Sequence, residues 1–179
     1  MEKWLTNPTC IPPCLEGITP GISTAKEAVD KRFLLSDVKR TSSPYYDEKA
    51  VGFEHGCEWV NFYSDDTSGL VKAISVYIGC DKDNTTVKEI IGVYGNPDYA
   101  YATWQEYGCD RHYVWLETGM EIIGYKERAL FSFFKPVDPE MLVSTISFFD
   151  PNRGQDLTAG GSIYEKLPFT SIENDPCEN

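Results

Sequence analysis

Histidine and cationic side chains are scarce in this sequence. Of its 179 residues, 2 are histidine and 16 are lysine or arginine, against 28 aspartates and glutamates, so the formal net charge is −12. A surface this acidic repels phosphate groups and anionic lipid headgroups, and we therefore expect no nucleic-acid binding. Solubility alone accounts for the acidity, and a dedicated cationic partner is the alternative interpretation.

The short motifs that mark common enzyme sites are also missing. The sequence has no Gly-rich phosphate loop, no nucleophile elbow and no His-Glu-x-x-His pattern. A secreted hydrolase could use Glu117 and Glu121, and His112 beside Asp110 could act as a general base, but nothing in the sequence fixes these groups in space. We therefore expect a protein that is not an enzyme and that holds no cofactor and no metal.

No apolar run is long enough to span a membrane, and residues 1–9 lack the apolar centre of an export signal. Yet the chain has six cysteines, which are Cys10, Cys14, Cys57, Cys80, Cys109 and Cys177. An even number at wide spacing favours disulfides formed in an oxidising compartment, with mixed disulfides, free thiols or a metal site as alternatives. We expect an extracytoplasmic protein, secreted or membrane-anchored, whose precursor carries a leader that this chain lacks.

Apolar and aromatic residues are abundant enough to build a core with strands. Hydrophobic residues make up 41% of the chain and aromatic residues 13%, and large rings pack well across a pleated sheet. Two helices are predicted by the capping-box spacing from Thr24 to Glu27 and from Thr86 to Glu89. The second helix should end at Gly95, because Pro97 then blocks its continuation.

Alternating polar and apolar residues predict a series of strands. A hairpin is expected from 51–63 and 70–80, with Trp59 on one face of its first strand and Val60 on the other. Folding this hairpin about residues 68–69 places Cys57 opposite Cys80, where a cross-strand disulfide is geometrically reasonable. Later strands are predicted at 99–107, 111–117, 119–125, 129–134 and 141–149, with tight turns at Gly108-Cys109-Asp110 and at Thr118-Gly119.

These elements predict an α+β fold, in which two short helices pack on a curved antiparallel sheet. The sequences Thr24-Ala25-Lys26-Glu27 and Thr86-Val87-Lys88-Glu89 align, so the body at 18–150 is either two tandem helix-then-strands units, at 18–80 and 81–150, or one unit with two ordinary helix starts. Residues 1–17 form a Pro-rich arm, and residues 151–179 an irregular tail.

Two stretches resemble known families. The sequence from Pro13 to Thr24, followed by Glu27-Ala28-Val29, resembles the start of small exported bacterial lipoproteins of unknown function. Thr86 to Pro97, with its Tyr94-Gly95-Asn96-Pro97 ending, resembles the SmpA/OmlA outer-membrane lipoproteins and the tandem units of β-lactamase-inhibitor-like folds. The resemblance implies short helices on an antiparallel sheet and a function in binding other proteins. It assigns no lipid-bearing role to Cys10 or Cys14.

Aromatic residues cluster in the predicted strands that follow the second helix. If helices cover one face of the sheet, the other face would expose rings as binding anchors, and we select Tyr101, Trp104, Tyr113 and Trp115 for this contact face. The alternative is that these rings form core between two layers. The sequence thus predicts an extracytoplasmic, non-enzymatic domain that binds a protein in the cell envelope or outside the cell. A module that holds a small ligand in the concave sheet face is the second hypothesis.

Overall fold

The computed structural model describes residues 11–33, 39–42, 50–55, 58–64, 67–78, 85–105, 108–127, 141–153 and 167–168. Both predicted helices are present in this part of the chain, and the remaining elements are mainly strands. In chain order the elements are α1 (Ala25–Phe33), β1 (Lys39–Ser42), β2 (Ala50–His55), β3 (Glu58–Ser64), β4 (Val71–Ile78), α2 (Val87–Tyr94), β5 (Tyr99–Gln105), β6 (Gly108–Trp115), β7 (Met120–Glu127), β8 (Leu142–Phe149), a 3-10 turn (Pro151–Arg153) and β9 (Leu167–Pro168).

The described strands form one antiparallel sheet in the order β1-β2-β3-β4-β8-β7-β6-β5-β9. Within the set β1 to β4 each strand pairs with its neighbours in the chain, and the same holds within the set β5 to β8. The two sets join where β4 pairs with β8. The chain is therefore mostly β, and each helix precedes a meander of four strands.

The two halves repeat the same contact between helix start and sheet. Thr24, before α1, bridges to Leu70 before β4, and Thr86, before α2, bridges to Leu142 at the start of β8. The backbone hydrogen bonds on either side of each bridge also repeat. In the first half Ala25 N–H donates to Gly69 O at 3.0 Å and Val71 N–H donates to Ser23 O at 2.8 Å. In the second half Val87 N–H donates to Met141 O at 2.9 Å and Val143 N–H donates to Thr85 O at 2.9 Å. The two halves run from α1 to β4 and from α2 to β8.

Both helices begin with a capping box. The Thr86 side chain accepts the Glu89 backbone N–H at 3.3 Å, and the Glu89 carboxylate accepts the Thr86 backbone N–H at 2.7 Å. The pair Thr24 and Glu27 makes the same exchange, at 3.2 and 2.7 Å. Each cap satisfies backbone donors that the first turn of a helix leaves without a partner.

A single cluster of buried hydrophobic residues covers one face of the sheet. The two rows of side chains on this face are Val60, Val76, Ile146, Ile122, Tyr113 and Ala100, and Phe62, Ile74, Phe148, Met120 and Trp115. Ala28 of α1 and Val87 and Ile90 of α2 belong to the same cluster. The apolar side chains of the helices and of this face are therefore buried together.

Packing of the body begins earlier than the sequence predicted. Leu15 lies in the segment that was predicted as an arm, yet it is buried in the core cluster, as is Ile18. Leu15 and Ile18 exchange backbone hydrogen bonds at 2.9 and 2.8 Å around a tight turn. Glu16 and Gly17 occupy that turn with φ of 49° and 77°, a conformation that favours glycine.

Several strand boundaries differ from the prediction. The expected strand 51–63 is two strands, because β2 ends at His55 and β3 begins at Glu58, and the two pair with each other. The polar segment after α1 contains β1, a short edge strand that alternation of apolar residues does not reveal. Gly108-Cys109-Asp110 is not a turn, since it forms the start of β6. Residues 129–134 lie outside the described part of the chain.

The register of the β3–β4 hairpin is offset by one residue from the predicted one. Glu58 pairs with Ile78, whereas a fold about residues 68–69 would pair it with residue 79. The ladder shifts between Tyr63 and Ser64, and such a bulge changes the pairing that a simple turn count gives. The described register thus differs by one position from the predicted one, and the pairing of Cys57 with Cys80 stays a prediction because both cysteines lie outside the described residues.

Candidate functional site

The sheet has a second face, opposite the buried cluster, which we call the polar face. Two rows of side chains cross it from β3 to β5. The first row is Trp59, Tyr77, Thr145, Ile123, His112 and Tyr101, and the second is Asn61, Ser75, Ser147, Glu121, Val114 and Tyr99. None of these residues belongs to the buried hydrophobic cluster, although Val114, Asn61, Thr145, Glu121 and Ser75 are themselves buried. Because neighbouring residues of a strand point to opposite faces, the same strands supply both the core and this surface.

The most closely connected group on the polar face joins β5, β6 and β7. The Tyr101 hydroxyl donates to Glu121 Oε1 at 2.5 Å, and His112 Nδ1 lies 2.9 Å from the same oxygen. The Tyr101 and His112 rings stack with centroids 4.3 Å apart and planes within 11° of parallel. The stack follows from the register, in which Tyr101 and His112 are direct cross-strand partners.

Burial and hydrogen bonding together determine the chemistry of this group. The side chain of Glu121 is 8% exposed and that of His112 12%. Burial, with the Glu121 carboxylate as the next cause, raises the pKa of Tyr101 above its ordinary value. The Tyr101 phenol therefore keeps its proton and serves as a donor to the carboxylate.

A second group lies on β3, at the other end of the two rows. Trp59 Nε1–H donates to Asn61 Oδ1 at 3.2 Å, and Asn61 Nδ2 donates to the Tyr63 hydroxyl at 3.5 Å. Asn61 is buried, while Trp59 and Tyr63 are partly exposed. The amide thus orients the polar edges of the two rings along the strand.

Small side chains occupy the seam where the two halves meet. The hydroxyls of Ser75 on β4 and Ser147 on β8 lie 2.9 Å apart, and Thr145 precedes Ser147 on the same face. Ser75 and Thr145 are buried, although they are short. The two halves are therefore joined on this face by a hydrogen bond between β4 and β8.

Two of the four aromatic residues predicted as a contact face are part of the core. Tyr113 is 1% exposed and Trp115 is 4% exposed, and the Trp115 indole N–H donates to Gly95 O at 3.0 Å, after α2. Tyr101 pairs with His112, so it lies on the face opposite Tyr113. Tyr101 is partly exposed on the polar face, and the side chain of Trp104 lies outside the described part. The four rings therefore do not form one surface.

The two carboxylates that a hydrolase could use, those of Glu117 and Glu121, also lie in different environments. Glu117 is exposed in the turn between β6 and β7, whereas Glu121 is buried on the polar face and bonded to Tyr101 and His112. The partner described for His112 is thus Glu121, which lies on β7 two residues from Ile123, the direct cross-strand neighbour of His112. Sequence reasoning missed this contact because it depends on the β6–β7 register.

The cysteines fall mostly outside the described residues. Cys14 is disulfide-bonded, and the cysteine bonded to it is not among the side chains that the structure describes. Cys109 lies in β6, where its backbone alone is described. Cys10, Cys57, Cys80 and Cys177 lie outside the described ranges.

In the described ranges, neither α1 nor α2 has the length or apolar character needed to cross a membrane. No family model and no curated protein matches the chain. Among solved structures, the chain is similar to the crystal structure of YjgB, a DUF4309 family protein from Bacillus subtilis, with a TM-score of 0.48 and 9% sequence identity over 75% of this chain and 84% of that chain.

Proposed function

We propose that this protein is a non-enzymatic, extracytoplasmic domain that binds another protein through its polar face. The observation that carries the proposal is the gathering of partly exposed rings from both halves on that one face. They are Trp59, Tyr63 and Tyr77 from the first half and Tyr101 and His112 from the second.

Rings held in this way have the properties of interface anchors. Tyrosine and tryptophan combine a large apolar area with a polar edge, and they lose little side-chain entropy on binding because they rotate about two bonds. The Asn61 amide and the Glu121 carboxylate already restrain Trp59, Tyr63 and Tyr101. A partner would therefore meet a face that is largely ordered before binding, which lowers the entropic cost of association.

The extracytoplasmic location is supported by the cysteines. A disulfide at Cys14 is expected to persist where thiols are not kept reduced by the cytosolic pool. The acidic charge of the chain adds a reason to expect a protein rather than nucleic acid as the partner.

Site-specific photocrosslinking tests which face the partner uses. A photoreactive phenylalanine analogue is placed at Tyr77 on the polar face, and a matched control is placed at Val93, which is 55% exposed on α2. The full chain is produced in its source organism, and the extracytoplasmic fraction is irradiated. We expect a discrete crosslinked protein from position 77 that position 93 does not give.

The same experiment can contradict the proposal. Equal crosslinks from positions 77 and 93, or crosslinks from position 93 alone, would show that the partner does not use the polar face. Absence of crosslinks from both positions, with the protein folded, would argue against a stable protein partner in that compartment.

A further inference from the structure

The carboxylate of Glu121 is an unusual group on the polar face, because it is more than nine-tenths buried and accepts both of its described hydrogen bonds at one oxygen. Tyr101 Oη and His112 Nδ1 both contact Oε1, at 2.5 and 2.9 Å. Within the described ranges, Oε2 has no hydrogen-bond partner. Oε2 is not among the buried side-chain atoms that lack a partner, so it keeps some contact with solvent and is the oxygen that a ligand can reach.

The surroundings of Glu121 favour a cation. The described charged side chains that strand alternation places on the polar face are the carboxylates of Asp110 and Glu121, and among the described side chains of that face there is no lysine or arginine. The chain as a whole carries a net charge of −12. A positive group from a partner would thus meet a complementary charge and would be attracted at a distance as well.

The geometry distinguishes between the two cationic side chains of proteins. The rings of Tyr101 and His112 stack on each other beside the carboxylate, with planes within 11° of parallel, so a further planar group can stack here only on an outer ring face. A guanidinium is planar, pairs with a carboxylate through parallel N–H donors, and stacks on aromatic faces more readily than a hydrated ammonium. The Ser147 hydroxyl, directly across the β7–β8 ladder from Glu121, adds a further oxygen at the seam.

We propose that Glu121, with Tyr101 and His112, binds the guanidinium of an arginine side chain presented by the protein partner. The inference rests on the proposed function and deepens it, because it names the anchor that the partner must supply. Arginine is among the residues enriched at the energetic centres of protein interfaces, and a desolvated carboxylate is the group that makes such an anchor specific.

A titration with two small probes tests this subsite. Nα-acetyl-arginine methylamide is added through the millimolar range to the full, oxidised chain, and the His112 ring resonances are followed by NMR. Nα-acetyl-citrulline methylamide, which has nearly the same shape but no charge, is the matched probe. We expect a saturable shift with the arginine probe and at least tenfold weaker binding of the citrulline probe.

Two variants locate the effect. Glu121→Gln keeps the shape of the side chain but removes its charge, and it should weaken the arginine probe at least tenfold. Glu117→Gln removes an exposed carboxylate in the nearby turn and should leave binding unchanged.

Equal binding of both probes to the unaltered chain, or no saturable response, would overturn the proposal. This outcome needs no variant, so it covers the case that Glu121→Gln does not fold. Crosslinking from position 77 together with such a failure would leave the proposed function standing and remove the arginine subsite alone.

Discussion

At the scale of single residues, the hydrogen bond from Tyr101 to Glu121 contributes both to the stability of the fold and to the order of the polar face. The Tyr101 hydroxyl contributes to the stability of the fold by satisfying a buried carboxylate oxygen, and it also holds the ring against His112. Its raised pKa, caused first by burial and then by Glu121, keeps the donor protonated. The same contact therefore orders the site and lowers the cost of burying Glu121.

Replacing Tyr101 by phenylalanine should remove this donor and leave the ring. We expect the free energy of unfolding to fall by about 1.5–3 kcal/mol, the usual contribution of a hydrogen bond to a charged group. Denaturant unfolding at neutral pH measures the loss. The control is Tyr99→Phe, a partly exposed tyrosine on the same strand, and an equal loss in both variants would contradict the role of the Glu121 contact.

Burial on the core face gives a second prediction for a single residue. Ile90 of α2 is 0% exposed, and Ile90→Ala should cost about 2–5 kcal/mol through lost contacts and a cavity. Val93, on the same helix, is 55% exposed, and Val93→Ala should change stability by less than about 0.5 kcal/mol. Thermal or denaturant unfolding of both variants checks the pair, and similar losses would contradict the assignment of the buried helix face.

At the scale of elements, the helix caps repeat in both halves and therefore offer a matched comparison. Thr24→Ala and Thr86→Ala should each cost about 0.5–2 kcal/mol, because each removes a side-chain oxygen that accepts a backbone N–H of the first turn. Serine at the same positions should retain most of the stability. Circular dichroism melts of the four variants test this, and an alanine variant as stable as its serine counterpart would argue against the cap.

The acidic member of each cap makes part of the stability depend on pH. The hydrogen bonds from the Thr86 backbone and side chain lower the pKa of Glu89 below its ordinary value of 4.5. Because the pKa of Glu89 is lower in the folded chain than in the unfolded chain, the cap stabilises the fold fully at pH values above the unfolded-state pKa. This stabilisation is lost as the pH falls through the folded-state pKa. The melting temperatures of the native chain and Glu89→Gln should therefore differ at neutral pH and converge below about pH 4. A constant difference down to pH 2 would contradict the linkage.

At the scale of the whole molecule, two helix-then-meander halves share one sheet through the β4–β8 pair. The seam carries Ser75 and Ser147 on the polar face and apolar residues such as Ile146 on the core face. Both faces of the seam thus depend on the two halves being present together. The polar face is a property of the pair, because the Trp59 group and the Tyr101 group come from different halves.

Disulfides are expected to stabilise the molecule as a whole. Intact mass after alkylation without reductant should show bonded cysteines, and alkylation of all 6 would contradict this. Each bond that reduction breaks should lower stability by about 2–4 kcal/mol, because the unfolded chain regains entropy. Peptide mapping under non-reducing conditions identifies the partner of Cys14 and tests the pairing of Cys57 with Cys80. A melt that does not change on reduction would remove the stabilising role.

Local chemistry made part of this structure predictable from sequence. The spacing of Thr24 and Glu27, and of Thr86 and Glu89, predicted where the helices begin, because a cap forms between residues three apart. The alternation of polar and apolar residues likewise predicted that Trp59 and Val60 lie on opposite faces of β3, since neighbouring residues of a strand point to opposite sides.

The tertiary structure decided what local patterns cannot contain, namely which strands are neighbours and in which register. The pairing of β5 with β6 placed Tyr101 beside His112, and that of β6 with β7 brought Glu121 within reach of both. The same pairing buried Tyr113 and Trp115, which their clustering in the predicted strands had suggested for a binding surface, with a place in the core as the alternative. A shift of one residue exchanges the two faces of a strand, so register divides these aromatic residues between core and polar face.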